Sequence, residues 1–363
     1  MKRRADRTCA SGFHPASVYW IGRHDKWFGL SSGARPLVPP CHRRLFQRWI
    51  MRRFLTLVCV LGCCTATTHS SRRTAETFAD WSAPMNVGPP INTSYNDTYA
   101  FLSRDELTIY FTSDRPGGRG GNDLWFATRE SVDSPWGEPQ NMGARINTAF
   151  DDSLPFLAPN EHVLYFYSQR PAGNCGPSGT GDIWMTRRRN KHSPWQEPTN
   201  LGCVLNTSVD ETAPAFWEDP KTEQAWLFFG SINRPGGIAD YDVYASPLEE
   251  DGFAGLGILV PEFSSPGRDT RIFIRKDGLE AFITSNRAGG QGGIDIWTST
   301  RETLSDEWSV PIDLGSPVDS PFNDGSPWLS KDGTMLYFFS DRPGPGTLGG
   351  RDIWYTTRLK LND

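Results

Sequence analysis

Five carboxylates recur in this chain at a spacing that invites chemistry. Asp97, Asp152, Glu211, Asp269 and Asp324 each begin a short apolar run, in contexts such as NDTYAF, DDSLPF and NDGSPW. Repeated around an axis, they would form a ring at one mouth of a central channel, able to bind a cation such as calcium or a basic group of a partner. The same positions also read as turn aspartates that cap loop amides. Glu249, Glu250, Asp251 and Glu262 form a second set outside the recurrence. Two such groups across a sugar would hydrolyse a glycosidic bond, although a charged polar loop is the commoner explanation for such a set. No Ser-His-Asp set stands out and no residue is assigned as catalytic. With no CxxC and only His162 and His192 beyond residue 50 apart from His69, a zinc site is not expected, and any metal is left unassigned.

A glycine-rich stretch, SDRPGGRGGNDLW at 113–125, resembles a phosphate cradle until its recurrence is noticed. It returns as SQRPAGNCGPSGTGDIW, SINRPGGIADYDVY, SNRAGGQGGIDIW and SDRPGPGTLGGRDIW. Phosphate loops lead from a strand into a helix, whose first amides hold the anion. Here each copy sits between runs such as LTIYF and DLWFATR, so each joins strand to strand. The glycines then supply positive φ in a wide hairpin. Asp123, Asp182, Asp242, Asp295 and Asp352 accept amide hydrogens before the next strand. Arg115, Arg170, Arg234, Arg287 and Arg342 tie the turn through carbonyls or through that aspartate.

The elements follow from the period. The aspartates two before the aromatic fall 53 to 60 residues apart, and a second phrase keeps step from Trp81, Trp136, Trp195 and Trp308, with a decayed copy near Phe253. Each unit reads as four short strands and none shows a helical period. Four antiparallel strands every 55 or so residues describe a propeller blade. The fold expected is all-β: a five-bladed β-propeller of four-stranded antiparallel blades over residues 79–360, closed by pairing residues near 79–86 with the strand near 352–358.

The phrase S-[DN]-R-P-G-G followed by G-G-x-D-[IL]-W resembles the TolB-type, WD40-like β-propeller repeats of exported bacterial proteins, over nearly all of residues 81–358. That resemblance implies a non-catalytic binding or scaffolding propeller at the cell envelope, with an envelope protein or glycan as partner. It departs from TolB in leaving no room for an α/β domain ahead of the propeller, and from peptidase relatives in having no GxSxG within the repeats. The alternative is a carbohydrate-active or other hydrolytic enzyme on the same propeller.

Charge and cysteine use point to export. Residues 1–50 hold ten Lys/Arg against two Asp/Glu, leaving 27 basic against 40 acidic side chains thereafter. An acidic body with no basic run argues against nucleic acid. At Met51 the text becomes MRRFLTLVCVLGCC: a charged start, a short apolar run and a VLGC lipobox. Residues 1–50 are therefore expected not to belong to the native product, with 51–62 a lipoprotein signal peptide, Cys63 the lipidated residue and 63–78 a tether. The protein would be a monomer touching the membrane only through its lipid, facing the periplasm or the cell exterior. Cys175 and Cys203, each in a glycine-rich segment, are expected to pair in that oxidising setting.

Overall fold

Runs of aromatic and branched residues four to six long, cut by glycine and proline, are too short for helices and pair instead as strands. The computed structural model describes residues 76–361 except 172, 174 and 178. The expected start at Met51, the signal peptide and Cys63 lie outside the described residues.

The first strand, β1 (Met85–Asn86), precedes blade 1, which holds β2 (Asp97–Leu102), β3 (Thr108–Ser113), β4 (Asp123–Thr128) and β5 (Gln140–Asn141). Blade 2 has β6 (Asp152–Leu157), β7 (Val163–Ser168), β8 (Asp182–Arg187) and β9 (Thr199–Asn200). Blade 3 has β10 (Glu211–Glu218), β11 (Ala225–Ile232), β12 (Tyr241–Pro247) and β13 (Ile258–Leu259). Blade 4 has β14 (Asp269–Ile274), β15 (Glu280–Ser285), β16 (Asp295–Thr300) and β17 (Ile312–Asp313). Blade 5 has β18 (Asp324–Leu329), β19 (Met335–Ser340) and β20 (Asp352–Thr357). Its fourth strand is β1, which pairs with β20 through Met85 opposite Tyr355 and Asn86 opposite Trp354. An isolated bridge between Phe78 and Lys360 extends that seam. The innermost strands β2, β6, β10, β14 and β18 touch in succession and close a ring. The described residues form an all-β, five-bladed propeller whose first and last strands share one blade.

Each blade is covered on both faces by its neighbours, so its second strand buries both sides. In β3 Ile109, Tyr110 and Phe111 are all buried, and β7 and β19 repeat the pattern. The glycine stretches turn the corner between second and third strands. Gly117 has φ 94°, and a Cβ on Gly120 would lie 2.0 Å from the Phe150 carbonyl oxygen. The W-x-x-P tryptophans pack under arginines from the ends of third strands, with Arg129 4.3 Å from Trp136 and Arg358 4.4 Å from Trp81. A disulfide joins Cys175, in the long turn of blade 2, to Cys203 just past β9.

Candidate functional site

The five recurring acids do not form a free ring. Asp97, Asp152, Glu211, Asp269 and Asp324 are wholly buried. Each is bound by the arginine of its own blade: Asp97 by Arg115 at 2.6 Å, Asp152 by Arg170 at 2.7 Å, Asp269 by Arg287 and Asp324 by Arg342 at 2.5 Å. In blade 3, where glutamate replaces aspartate, Arg234 stands 3.6 Å from Glu211, and burial pushes that carboxyl above the ordinary range against the pull of Thr207 and Arg234. The other oxygen of Asp97 accepts the amide and hydroxyl of Thr93, as Asp152 does from Thr148 and Asp324 from Ser320. With their lone pairs spent inside the blade, these groups offer no oxygen to a calcium ion or a basic partner. The expectation of a channel-mouth ring is corrected accordingly.

The arginines staple each turn. Arg115 also donates to Ser113 Oγ and to the Ile91 carbonyl, and lies over Trp125. Their carboxylate partner is thus the residue opening the innermost strand, not the aspartate before the aromatic. That second aspartate caps the glycine turn, as when Asp123 accepts the amides of Arg119 and Gly120, Asp182 that of Cys175, Asp242 that of Ile238, Asp295 that of Gly292 and Asp352 that of Leu348.

One position at which all five copies differ lies on the innermost strands. Two residues after each recurring acid stand Tyr99, Leu154, Ala213, Arg271 and Ser326, and all five line one cup of about 220 Å³. In blades 1, 2, 3 and 5 this residue takes a left-handed backbone, with φ of 56°, 58°, 52° and 59°, and the register slips beside it. Such bulges re-aim a side chain. In blade 4 the slip falls between Asp269 and Arg271 instead, and Arg271 has no left-handed φ. Aromatic rings also meet across the axis. Phe156 of blade 2 lies 6.3 Å from Phe273 of blade 4, which is not its neighbour. Phe101 stands 4.5 Å from Phe156 and 5.9 Å from Trp328.

The wall is polar and aromatic. Tyr99 meets Phe339 edge-on at 5.7 Å, with Arg351 over the Phe339 ring. Arg268 lies over Tyr241 at 5.2 Å and stands 3.8 Å from Asp240. Tyr241 is deeply enclosed, and burial pushes its hydroxyl far up. Two carboxylates stand beside residues of the wall. Asp210 precedes β10 and accepts the Tyr167 hydroxyl and the Gly181 amide, both at 2.8 Å. Asp240 precedes β12.

Other clusters have local explanations. Glu249, Glu250 and Asp251 lie in the turn between β12 and β13, where the Asp251 carboxylate accepts the Phe253 amide and the Glu249 backbone carbonyl accepts the Gly252 amide. Asp295, Asp313 and Asp319 bring one oxygen each within 4.8 Å of the others. In blades 1, 2 and 5 the matching trios are one aspartate and two asparagines, as in Asp123, Asn141 and Asn147. A hollow of about 600 Å³ lies beside Phe78, and there Glu280 is gripped by Arg275 and Arg358 at 3.0 and 2.7 Å.

No protein-family model matches the chain, and no curated protein is similar to it in sequence. Solved structures do share its fold. An α-L-arabinofuranosidase from Lactobacillus brevis has 13% identity and a TM-score of 0.52, covering 76% of this chain and 94% of that one. An endo-arabinase from Bacteroides thetaiotaomicron has 14% identity and a TM-score of 0.52, covering 78% and 99%. A family 117 glycoside hydrolase from the marine bacterium Zobellia galactanivorans has 12% identity and a TM-score of 0.50, covering 79% and 92%. At such identities the likeness is one of fold. These neighbours are glycoside hydrolases, which corrects the TolB-type, WD40-like resemblance and the non-catalytic, protein-binding scaffold inferred from it.

Proposed function

We propose that this chain is a carbohydrate-active enzyme that seats a sugar in the axial cup and hydrolyses its glycosidic bond at the rim. The observation that carries the reading is the cup itself: the repeated position two after each recurring acid, different in all five blades, lines it, Tyr99 included, together with Tyr241 and Phe339. Sugar rings offer apolar faces to such aromatics and hydroxyls to the surrounding polar groups. The fold shared with sugar-cleaving propellers supports the same reading. The acids we assign to the reaction are Asp210 and Asp240, at the heads of strands β10 and β12 in one sheet. Two strand spacings separate their backbones by roughly 9–10 Å.

Polysaccharides and their oligomers incubated with the full chain should yield new reducing ends. Asp210→Asn and Asp240→Asn should each slow that release by about 10²-fold or more. The melting temperature of Asp240→Asn should hardly change, since its pair with Arg268 is exposed. If no glycan is cleaved, or both variants cleave as the parent does, the enzymatic reading is wrong.

A further inference from the structure

Resting on that reading, we infer that the sugar taken by the cup is acidic, its carboxylate held by Arg271 on the cup wall, with Ser326 beside it and Arg351 at the rim. Arg271 is 3% exposed. Its Nη2 donates across the axis to the Pro155 carbonyl at 3.4 Å, and its Nη1 has no partner among the described residues. Ser326, 2% exposed, likewise has a hydroxyl oxygen without a partner, on the same cup. A guanidinium enclosed without a countercharge is costly. The stapling arginines each own a carboxylate, whereas Arg271 has none.

The charges around it give the ligand its sign. No carboxylate lines the cup. Arg268 is matched by Asp240, and Asp210 is turned to the Tyr167 hydroxyl and the Gly181 amide. Arg271 and Arg351 are left as excess positive charge among the described residues. Burial pulls Arg271 down to about 10, which still leaves it charged at neutral pH. A planar carboxylate accepts two hydrogens from a guanidinium fork, and Ser326 adds a third donor. A neutral sugar would satisfy the hydrogen bonds but leave the charge unanswered.

Calorimetry on the full chain tests this with two acidic probes, α-1,4-trigalacturonate and a β-1,4-glucuronate trisaccharide, each beside its carboxyl-reduced neutral form. At least one acidic trisaccharide should bind about tenfold or more tighter than its neutral counterpart. In Arg271→Gln that ratio should fall towards one, through a larger loss of affinity for the acid than for the neutral form. Should Arg271→Gln not fold, Arg351→Gln at the rim should lower the ratio threefold or more. Equal affinity for acid and neutral forms, or variants that weaken both alike, would overturn the acidic preference while leaving the glycan site standing. No binding by either acid overturns the inference, and the cleavage assay with neutral glycans then decides the broader reading alone.

Discussion

Asp319 shows what one changed atom does to a repeated position. In blades 1, 2 and 5 the matching residue is an asparagine whose amide donates to the neighbouring side chain, as Asn147 does to Asn141 and Asn92 to Asn86. In blade 4 both partners are carboxylates. Burial above all, and then Asp313 beside it, push Asp319 up to about 9, so at neutral pH it keeps a proton and can donate as the amide would. The sign follows directly. The folded state binds this proton more tightly than the unfolded chain, so the contribution is complete below about pH 4 and is lost as pH rises towards 9. Asp319→Asn should therefore stabilise the protein by about 2 kcal/mol at pH 9, roughly 4–8 °C in melting temperature, with less gain at pH 5. A gain independent of pH would contradict the protonated carboxyl. Arg271 teaches the converse about legibility. A search for acids that break the repeat passes over it, because its signal is a single column, Tyr, Leu, Ala, Arg and Ser, inside the best-kept strand. Read down that column, the arginine is visible; its isolation from any carboxylate is not, since that depends on three blades meeting.

At the scale of elements, the strands and the glycine turns were readable because both arise from local constraint. Proline and glycine cut the chain, and aromatic runs with neighbours on both faces have little choice but to pair. The bulges were not readable. Tyr99 and Leu154 are residues that avoid left-handed backbone, and they adopt it where innermost strands crowd the axis. The Leu154 amide is received there by Thr112 Oγ1 of the adjacent blade, a contact no local pattern announces. The acids opening these strands were likewise correctly grouped but misplaced in role, because spacing does not say whether a carboxylate turns towards the channel or into its own blade. The bridge across blade 2 spans 28 residues in sequence and joins a long turn to the segment after β9. Replacing Cys175 and Cys203 with serine should cost about 3 kcal/mol if loop closure governs. Equal denaturation midpoints for the variant and the unreduced parent would show that the bridge contributes nothing to stability.

The whole molecule depends on its seam. Phe78 and Trp81 both lie over Arg358, at 3.8 and 4.4 Å, and the Ser82 carbonyl and amide bond Thr356 and Thr357. Removing residues 76–86 should thus lower the midpoint of the entire domain and expose the edge of β20, an invitation to aggregate. Retention of the parent's single transition would mean that the ring does not need its shared blade. The aromatic rings crossing the axis have a kinetic consequence of their own. On the proposed function, a channel crossed by these rings gives a polymer no way through, so whatever product forms must back out before the next chain arrives. Such a protein would be distributive, letting go after every event, and its digests would fill with intermediate lengths in place of a processive run down to the smallest unit.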